Sequence, residues 1–334
     1  MSAVAQADPA RAAGSASPLA HRRPLGDRAF QVLALAAGLL VLVILVLIAF
    51  STSQQSVTWF SNEGLSGIFS TNWDPAASKF GALTFLWGTL ITGVIAIVIA
   101  VPVSVAVALL LTEVVPRRWA QPIVYVIDLL AVVPSVVWGL WGILVLVPWL
   151  QTAIYPHVAS ALNGIWVLGN LFGFLNGNYV SGASFFTAGL ILAIMITPIV
   201  TSLSREVMAT VPVTDKEGAY ALGATRWEMI RGAVWPHSQV GIIGATLLGL
   251  GRAMGETIAV ALVIGASPTI SSHLFVPGYT MPAVIALQFG EATVGEFRAA
   301  LIGMGVLLFA LTIIVNLSAR GVVGRNARRM RGTA

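Results

Sequence analysis

The 334-residue sequence contains no cysteine and few charged residues. The lack of cysteine excludes structural disulfides and thiolate metal sites. The four histidines (His21, His157, His237 and His273) are far apart and lack the spacing of metal ligands, so we expect no metal site. Charged residues make up 9% of the chain. Soluble domains carry about a quarter, so this composition excludes an ordinary soluble protein.

Long apolar runs occupy most of the chain, which is 57% hydrophobic with a mean hydropathy of +0.90. About 20 apolar residues are enough to cross a bilayer as a helix. The sequence therefore predicts an all-α integral membrane protein with six transmembrane helices. Pro102 and Pro134 predict a tilt or kink in the second and third spans. The six predicted spans are 30–50, 81–111, 123–146, 185–203, 240–265 and 299–317.

The basic residues predict the orientation of the chain. Of the 18 lysines and arginines, 15 fall on the cytoplasmic side if both termini are cytoplasmic, and the exceptions are Lys79, Arg298 and Arg252. This placement explains the net charge of +5 without a nucleic-acid partner. We therefore expect a multi-pass protein of the inner (cytoplasmic) membrane. Its predicted parts are a disordered cytoplasmic extension (1–28), a transmembrane domain (29–318) and a basic cytoplasmic tail (319–334).

Two further segments are moderately apolar. A seventh span over 159–175 would place the basic C-terminal tail outside, against the charge rule. We interpret 151–183 as an external segment lying partly in the membrane interface. The same interpretation is applied to 267–297, which contains three prolines.

A polar loop over 204–236 separates the fourth and fifth spans. Thr214 with Glu217, and Thr225 with Glu228, match capping boxes at two helix starts. Gly223 stands where a helix needs a left-handed residue after its end. The loop is thus predicted to form two short helices joined by a tight corner.

This predicted corner carries apolar residues, and Pro236 is expected to end or redirect the chain after it. The apolar side chains either pack under the chain's own helices or bind a partner. They are Ala219, Tyr220, Leu222, Trp227, Met229 and Ile230.

The loop resembles the "EAA" signature of binding-protein-dependent ABC permeases, with Glu217-Gly218-Ala219, Gly223 and Pro236 at the family's spacing. Gly218, Ala233 and Trp235 depart from the usual residues. The resemblance implies that the loop couples the permease to a cytoplasmic ATPase. The implied coupling residues are Glu217, Gly218, Ala219, Leu222, Gly223, Ala224 and Pro236.

The sequence has no phosphate-cradling loop ending in Gly-Lys-Ser/Thr. ATP-Mg is therefore expected on a separate ATPase, with no cofactor on this chain and no enzymatic activity of its own.

Longer segments resemble the phosphate-specific subfamily of the PstC type. They begin at Asn72-Trp-Asp-Pro75, Phe80-Gly-Ala-Leu83, Ile127-Asp-Leu-Leu130, Ala221-Leu-Gly-Ala224 and Gly249-Leu-Gly-Arg252. The resemblance implies a type I ABC importer permease fold and phosphate as the substrate. It also implies a homologous PstA-type permease subunit, two ATPase copies and an extracytoplasmic phosphate-binding protein as partners, within membrane lipid.

Three charges fall inside predicted spans. Arg252 and Glu256 are four residues apart, which places them on one helix face where they can pair. A charge near the bilayer centre costs about 2.5–3.5 kcal/mol, so each needs partners or water. The pair either forms an internal salt bridge or lines the anion path. Asp128 is expected to have a structural or gating role.

Two other functions stay open from the sequence. Arg252 would equally serve a permease for another oxyanion, such as sulfate or molybdate. A proton-coupled secondary transporter would instead use Asp128 and Glu256 as proton carriers and would need no ATPase.

Overall fold

The computed structural model describes residues 25–162, 181–292 and 295–331. Most of the predicted N-terminal extension and part of the predicted external segment 151–183 lie outside these residues. Within them, five helices are long and apolar enough to cross a membrane. This confirms the prediction of a helical membrane protein. The five are Arg28–Phe69, Leu83–Val114, Ser135–Val158, Phe185–Ala209 and Glu296–Ser318.

The chain divides into two compact units, one ending at Ser51 and one beginning at Thr52. The first unit contains the start of helix α1 (Leu25–Phe69), whose apolar side chains from Phe30 to Phe50 are largely exposed. A helix that is apolar on all sides and exposed in this way suits lipid. In the second unit, α1 is kinked at Gly64, which has φ +62.

Helices α2 (Leu83–Leu109) and α7 (Phe185–Ala209) form the centre of the second unit. Small residues on both helices allow close approach, and a Cβ on Gly189 would lie 2.5 Å from the Ile95 side chain. The Ser104 hydroxyl donates to the Thr197 carbonyl at 3.1 Å. Although Pro102 lies inside α2, the helix continues through it and ends in a π-helical turn, Leu110–Val114.

The predicted third span, 123–146, is not one helix. Helix α3 (Arg117–Val132) ends before Pro134, and a new helix starts at Ser135. Val133 is extended (ψ 127), because a following proline disfavours the α conformation. The helical path then continues to Leu162, beyond the predicted end of the span. It comprises α4 (Ser135–Trp141), a π turn (Gly142–Leu146), α5 (Val147–Trp149), a π turn (Leu150–Ile154) and α6 (Tyr155–Leu162).

The predicted fifth span, 240–265, is also divided. Two short helices after α7, α8 (Val213–Ala221) and α9 (Arg226–Met229), lead through a π turn into α10 (Trp235–Met254). The chain leaves the helix at Gly255 and re-forms it as α11 (Ile258–Val263).

The segment after α11 folds into the core and is not simply a loop in the membrane interface. Phe275, Tyr279 and Met281 are buried, and Met281 begins α12 (Met281–Gln288). The backbone of Tyr279 approaches α2 so closely that a Cβ on Gly88 would lie 1.9 Å from its carbonyl oxygen.

Aromatic contacts join the remaining elements. Strands β1 (Trp73–Asp74) and β2 (Lys79–Phe80) form a small antiparallel hairpin. The Trp59 indole of α1 donates to the Phe80 carbonyl at 2.9 Å. Phe80 also stacks on Phe297, near the start of the last helix, α13 (Glu296–Arg331).

Candidate functional site

The corner between α8 and α9 has the geometry that the sequence predicts at its glycine. Gly223 has φ +83, in the left-handed region. Its N–H donates to the Tyr220 carbonyl at 2.9 Å, and the Ala224 N–H donates to the Ala219 carbonyl at 3.1 Å. These two bonds form a Schellman motif, which satisfies the last carbonyls of α8. The corner is therefore a rigid, hydrogen-bonded turn.

Only one of the two predicted capping boxes is present. The Thr225 N–H donates to the Glu228 carboxylate at 2.7 Å, and the Glu228 N–H donates to the Thr225 hydroxyl at 3.4 Å. The Thr225 hydroxyl also donates to this carboxylate, at 2.8 Å, and the two bonds from Thr225 to the carboxylate lower the pKa of Glu228. The box predicted at Thr214 is wrong, because the helix is capped at Pro212, two residues earlier, which leaves Thr214 inside α8.

Pro236 does not end or redirect the chain, contrary to the prediction. The backbone is helical from Arg226 through Met254, and Pro236 lies in the first turn of α10. Proline is tolerated at that position. The π turn Ile230–Val234 immediately before it widens the helix where a proline ring would otherwise crowd a preceding carbonyl.

The inner side of the corner is covered by the chain itself. Met229 and Ile230 are buried together with Met208 of α7 and Ala108 of α2, and Ala219 packs against this cluster. For these three corner residues, the first of the two alternatives holds, because they pack under the chain's own helices.

The outer side of the corner remains exposed. Leu222 is 91% exposed and Trp227 is 66% exposed, and Val213 and Tyr220 of α8 are exposed as well. An exposed apolar patch of this kind is typical of a protein-protein contact. Glu217 is also exposed and, among the described residues, makes no ion pair.

An ion pair that the sequence did not suggest anchors the corner to α2. Lys216 of α8 contacts Glu113 in the π turn after α2, at 2.6 Å. The two residues are 103 positions apart, so only the opposite charges of two predicted cytoplasmic segments could have hinted at the pair.

Arg252 and Glu256 lie on opposite sides of the helix break. They form no ion pair within the described part of the chain and do not share one continuous helix, so the structure does not support the internal salt bridge, one of the two alternatives. Arg252 is in the last turn of α10, while the Glu256 carboxylate accepts the Ala259 N–H of α11 at 3.4 Å. A cation near a helix C-terminus and an anion near a helix N-terminus are each favourable. The break at Gly255 thus separates the two charges and gives each a helix end.

Arg252 lines a cavity of about 950 Å³ between α7, α10 and α13. Arg320 and Asn316 of α13 line the same cavity, and neither was a predicted site residue. Glu256 is not among the lining residues. Elsewhere, Asp128 of α3 accepts a hydrogen bond from the Ser202 hydroxyl of α7 at 3.2 Å.

Comparisons with known proteins show which family the chain belongs to. The sequence profile of the family described as binding-protein-dependent transport system inner membrane component matches residues 100–332. Phosphate transport system permease protein PstC of Mesorhizobium japonicum is 42% identical over 97% of this chain and 98% of its own. PstC of Xylella fastidiosa (strain Temecula1) is 43% identical over 91% and 92%.

A solved structure extends the comparison to the fold. A chain of a bacterial ABC transporter involved in the import of the acidic polysaccharide alginate superposes with a TM-score of 0.57 at 14% identity, covering 89% of this chain and 96% of that one. The fold is therefore that of a type I ABC importer permease. The chain belongs to the family of inner membrane components of binding-protein-dependent transport systems, among permeases of the PstC type.

Proposed function

We propose that this chain is a permease subunit of an ATP-driven, binding-protein-dependent importer of inorganic phosphate. The observation that carries the proposal is the rigid corner between α8 and α9, with Gly223 at its centre and an exposed apolar outer side. Relatives that are named phosphate transport permeases and match nearly the whole chain support phosphate as the substrate.

The corner is the contact for a cytoplasmic ATPase. Leu222 and Trp227 enter a groove of the ATPase, while the Schellman turn and the capping box keep the two short helices in one arrangement. Motion of the ATPase then moves the corner as a unit. ATP-Mg binds to the ATPase and not to this chain.

The complete importer contains further partners. A homologous PstA-type permease subunit pairs with this chain in the membrane, two ATPase copies lie below, and a phosphate-binding protein delivers substrate from outside. Both termini of this chain lie in the cytoplasm, as the positions of the basic residues favour.

Arg252 forms a transient contact for phosphate on the path. Support comes from its place in a cavity, where no carboxylate is among the lining residues. Glu256 acts beside the path by holding the start of α11, which maintains the break that ends α10 at Met254, just after Arg252. Asp128 has a structural role, since its bond to Ser202 joins α3 to α7.

The test is phosphate uptake by the complete transporter in proteoliposomes. Arg252→Gln should abolish most uptake while leaving assembly intact, and Arg118→Gln, an exposed residue outside the cavity, should transport like wild type. Wild-type uptake by an assembled Arg252→Gln transporter would defeat the role of Arg252.

Two controls distinguish phosphate import from the two other functions that the sequence leaves open. An excess of sulfate or molybdate should compete weakly with phosphate, and strong competition would indicate a permease for another oxyanion. Uptake by the purified chain without an ATPase would indicate a secondary transporter.

A further inference from the structure

The cavity that contains Arg252 is a groove along one face of α10. Six of the lining residues belong to this helix and lie between Val240 and Arg252, with Gly244 and Gly251 among them. Their spacing of three and four residues is that of a single helix face. At 1.5 Å per residue, this face extends about 18 Å from Val240 to Arg252. Two glycines on it leave room beside the helix.

The other wall carries a second basic group. Asn316 and Arg320 of α13 are four residues apart, so they lie one turn apart on the same helix side, and both line the groove. The remaining lining residues are apolar or glycine. The groove thus holds two guanidinium groups and one amide, and no lining carboxylate.

These groups have the chemistry of an oxyanion site. Guanidinium groups present a planar set of N–H donors that matches phosphate oxygens, and the Asn316 amide supplies another donor. In the described part of the chain neither arginine forms an ion pair, so both charges remain available. Apolar walls strengthen their attraction for an anion, because they weaken screening by water.

The two arginines lie at different depths in the predicted topology. Arg252 lies about 18 Å along α10 from Val240, where the predicted fifth span begins on the cytoplasmic side. Arg320, in contrast, lies past the predicted cytoplasmic end of the last span. An anion that leaves Arg252 toward the cytoplasm therefore passes Arg320. Successive weak sites favour passage, since a single strong site would retain the ion.

We propose that Arg320 and Asn316 form a second binding contact for a phosphate oxyanion, on the cytoplasmic side of Arg252. This inference rests on the proposed function and adds an exit site to the path. The same chemistry also suits the headgroup of an anionic lipid of the inner leaflet, so the experiment separates these two sources.

The experiment measures binding to the purified complete transporter in detergent, without nucleotide or binding protein. Radiolabelled inorganic phosphate is titrated in one arm, and phosphatidylglycerol in the other. Arg320→Gln should weaken phosphate binding roughly tenfold, as expected for the loss of a charge-assisted hydrogen bond. Asn316→Ala should weaken it less, Arg320→Lys should restore part of it, and Arg118→Gln should leave it unchanged.

Each outcome decides the inference. Weaker binding of phosphate in Arg320→Gln supports an exit site, and weaker binding of phosphatidylglycerol alone supports an oxyanion site occupied by lipid. Unchanged binding of both by assembled Arg320→Gln and Asn316→Ala transporters overturns the site. Normal uptake by Arg252→Gln would instead refute the proposed path, and it would leave the binding result at Arg320 intact.

Discussion

Lys216 and Glu113 form an ion pair of 2.6 Å between the corner formed by α8 and α9 and the end of α2. The Glu113 side chain is only 6% exposed, and that of Lys216 is 20% exposed. A charge that is nearly buried depends on its partner, because its own hydration has been lost. The pair therefore attaches α8 to the helix that packs along α7 at the centre of the permease.

Removal of Lys216 should weaken this attachment. We expect Lys216→Met to destabilise the chain by about 1–3 kcal/mol, because the Glu113 carboxylate is left buried without its partner. The fall in melting temperature of the purified transporter measures the effect. Lys216→Met combined with Glu113→Gln should recover part of the loss, since no unpaired charge remains. If the Lys216→Met transporter has the same melting temperature as the wild type, the pair contributes nothing to stability.

The corner glycine offers a matched pair of variants. Gly223→Ala should cost about 1–2 kcal/mol, because an L-residue is strained at φ +83 although its Cβ would meet no atom within 4 Å. Gly218→Ala, inside α8 and equally unobstructed, should be neutral or stabilise the helix by up to about 1 kcal/mol. Binding of the ATPase to each variant measures whether the turn is needed. Equal binding by both would remove the turn from the coupling role.

The capping box predicts a pH dependence of α9. The pKa of Glu228 is lowered by the Thr225 N–H and hydroxyl. A lowered pKa means that the cap stabilises the folded corner above the carboxyl's unfolded pKa and that this contribution is lost as pH falls through the folded pKa. Hydrogen exchange of the α9 amides, corrected for its intrinsic pH dependence, should therefore lose protection in acid. Thr225→Ala should reduce the protection at neutral pH and flatten its change with pH.

Gly88 tests the packing of the segment that folds back into the core. Gly88→Ala places a methyl group against the backbone of Tyr279, so α2 and this segment must separate. We expect a loss of about 1–3 kcal/mol, as for other overpacked cores. Gly305→Ala, in α13 with no atom within 4 Å of the new Cβ, is the control and should melt like wild type. A normal melting temperature for Gly88→Ala would contradict the close contact.

The helical membrane architecture was predictable because hydrophobic length is a local property of the chain. The ends of the individual spans were less predictable. Pro102 and Pro134 look alike in the sequence, yet α2 continues through the first while α3 stops before the second. Likewise, Gly255 gives no more local indication of a helix end than Gly251, which lies inside α10.

In the candidate site too, some features were predictable from the sequence and others were not. The left-handed Gly223 and the Thr225–Glu228 box were predicted, because each depends on residues within one or two turns. The exposure of Leu222 and the burial of Met229 were not separable, since both are apolar residues of one short segment. Only packing against α2 and α7 decides which of them is covered.

The sequence by itself determined that this chain is a helical membrane protein, that its corner glycine is left-handed, and which permease family it resembles. These properties follow from composition, from spacing and from hydrogen bonds between near neighbours. The tertiary structure alone decided that Lys216 meets Glu113, that Glu256 caps α11 and does not pair with Arg252, and that Arg252 and Arg320 share a groove. Such contacts depend on where helices break and how they pack, and those outcomes are set by sterics and burial among residues far apart in the chain.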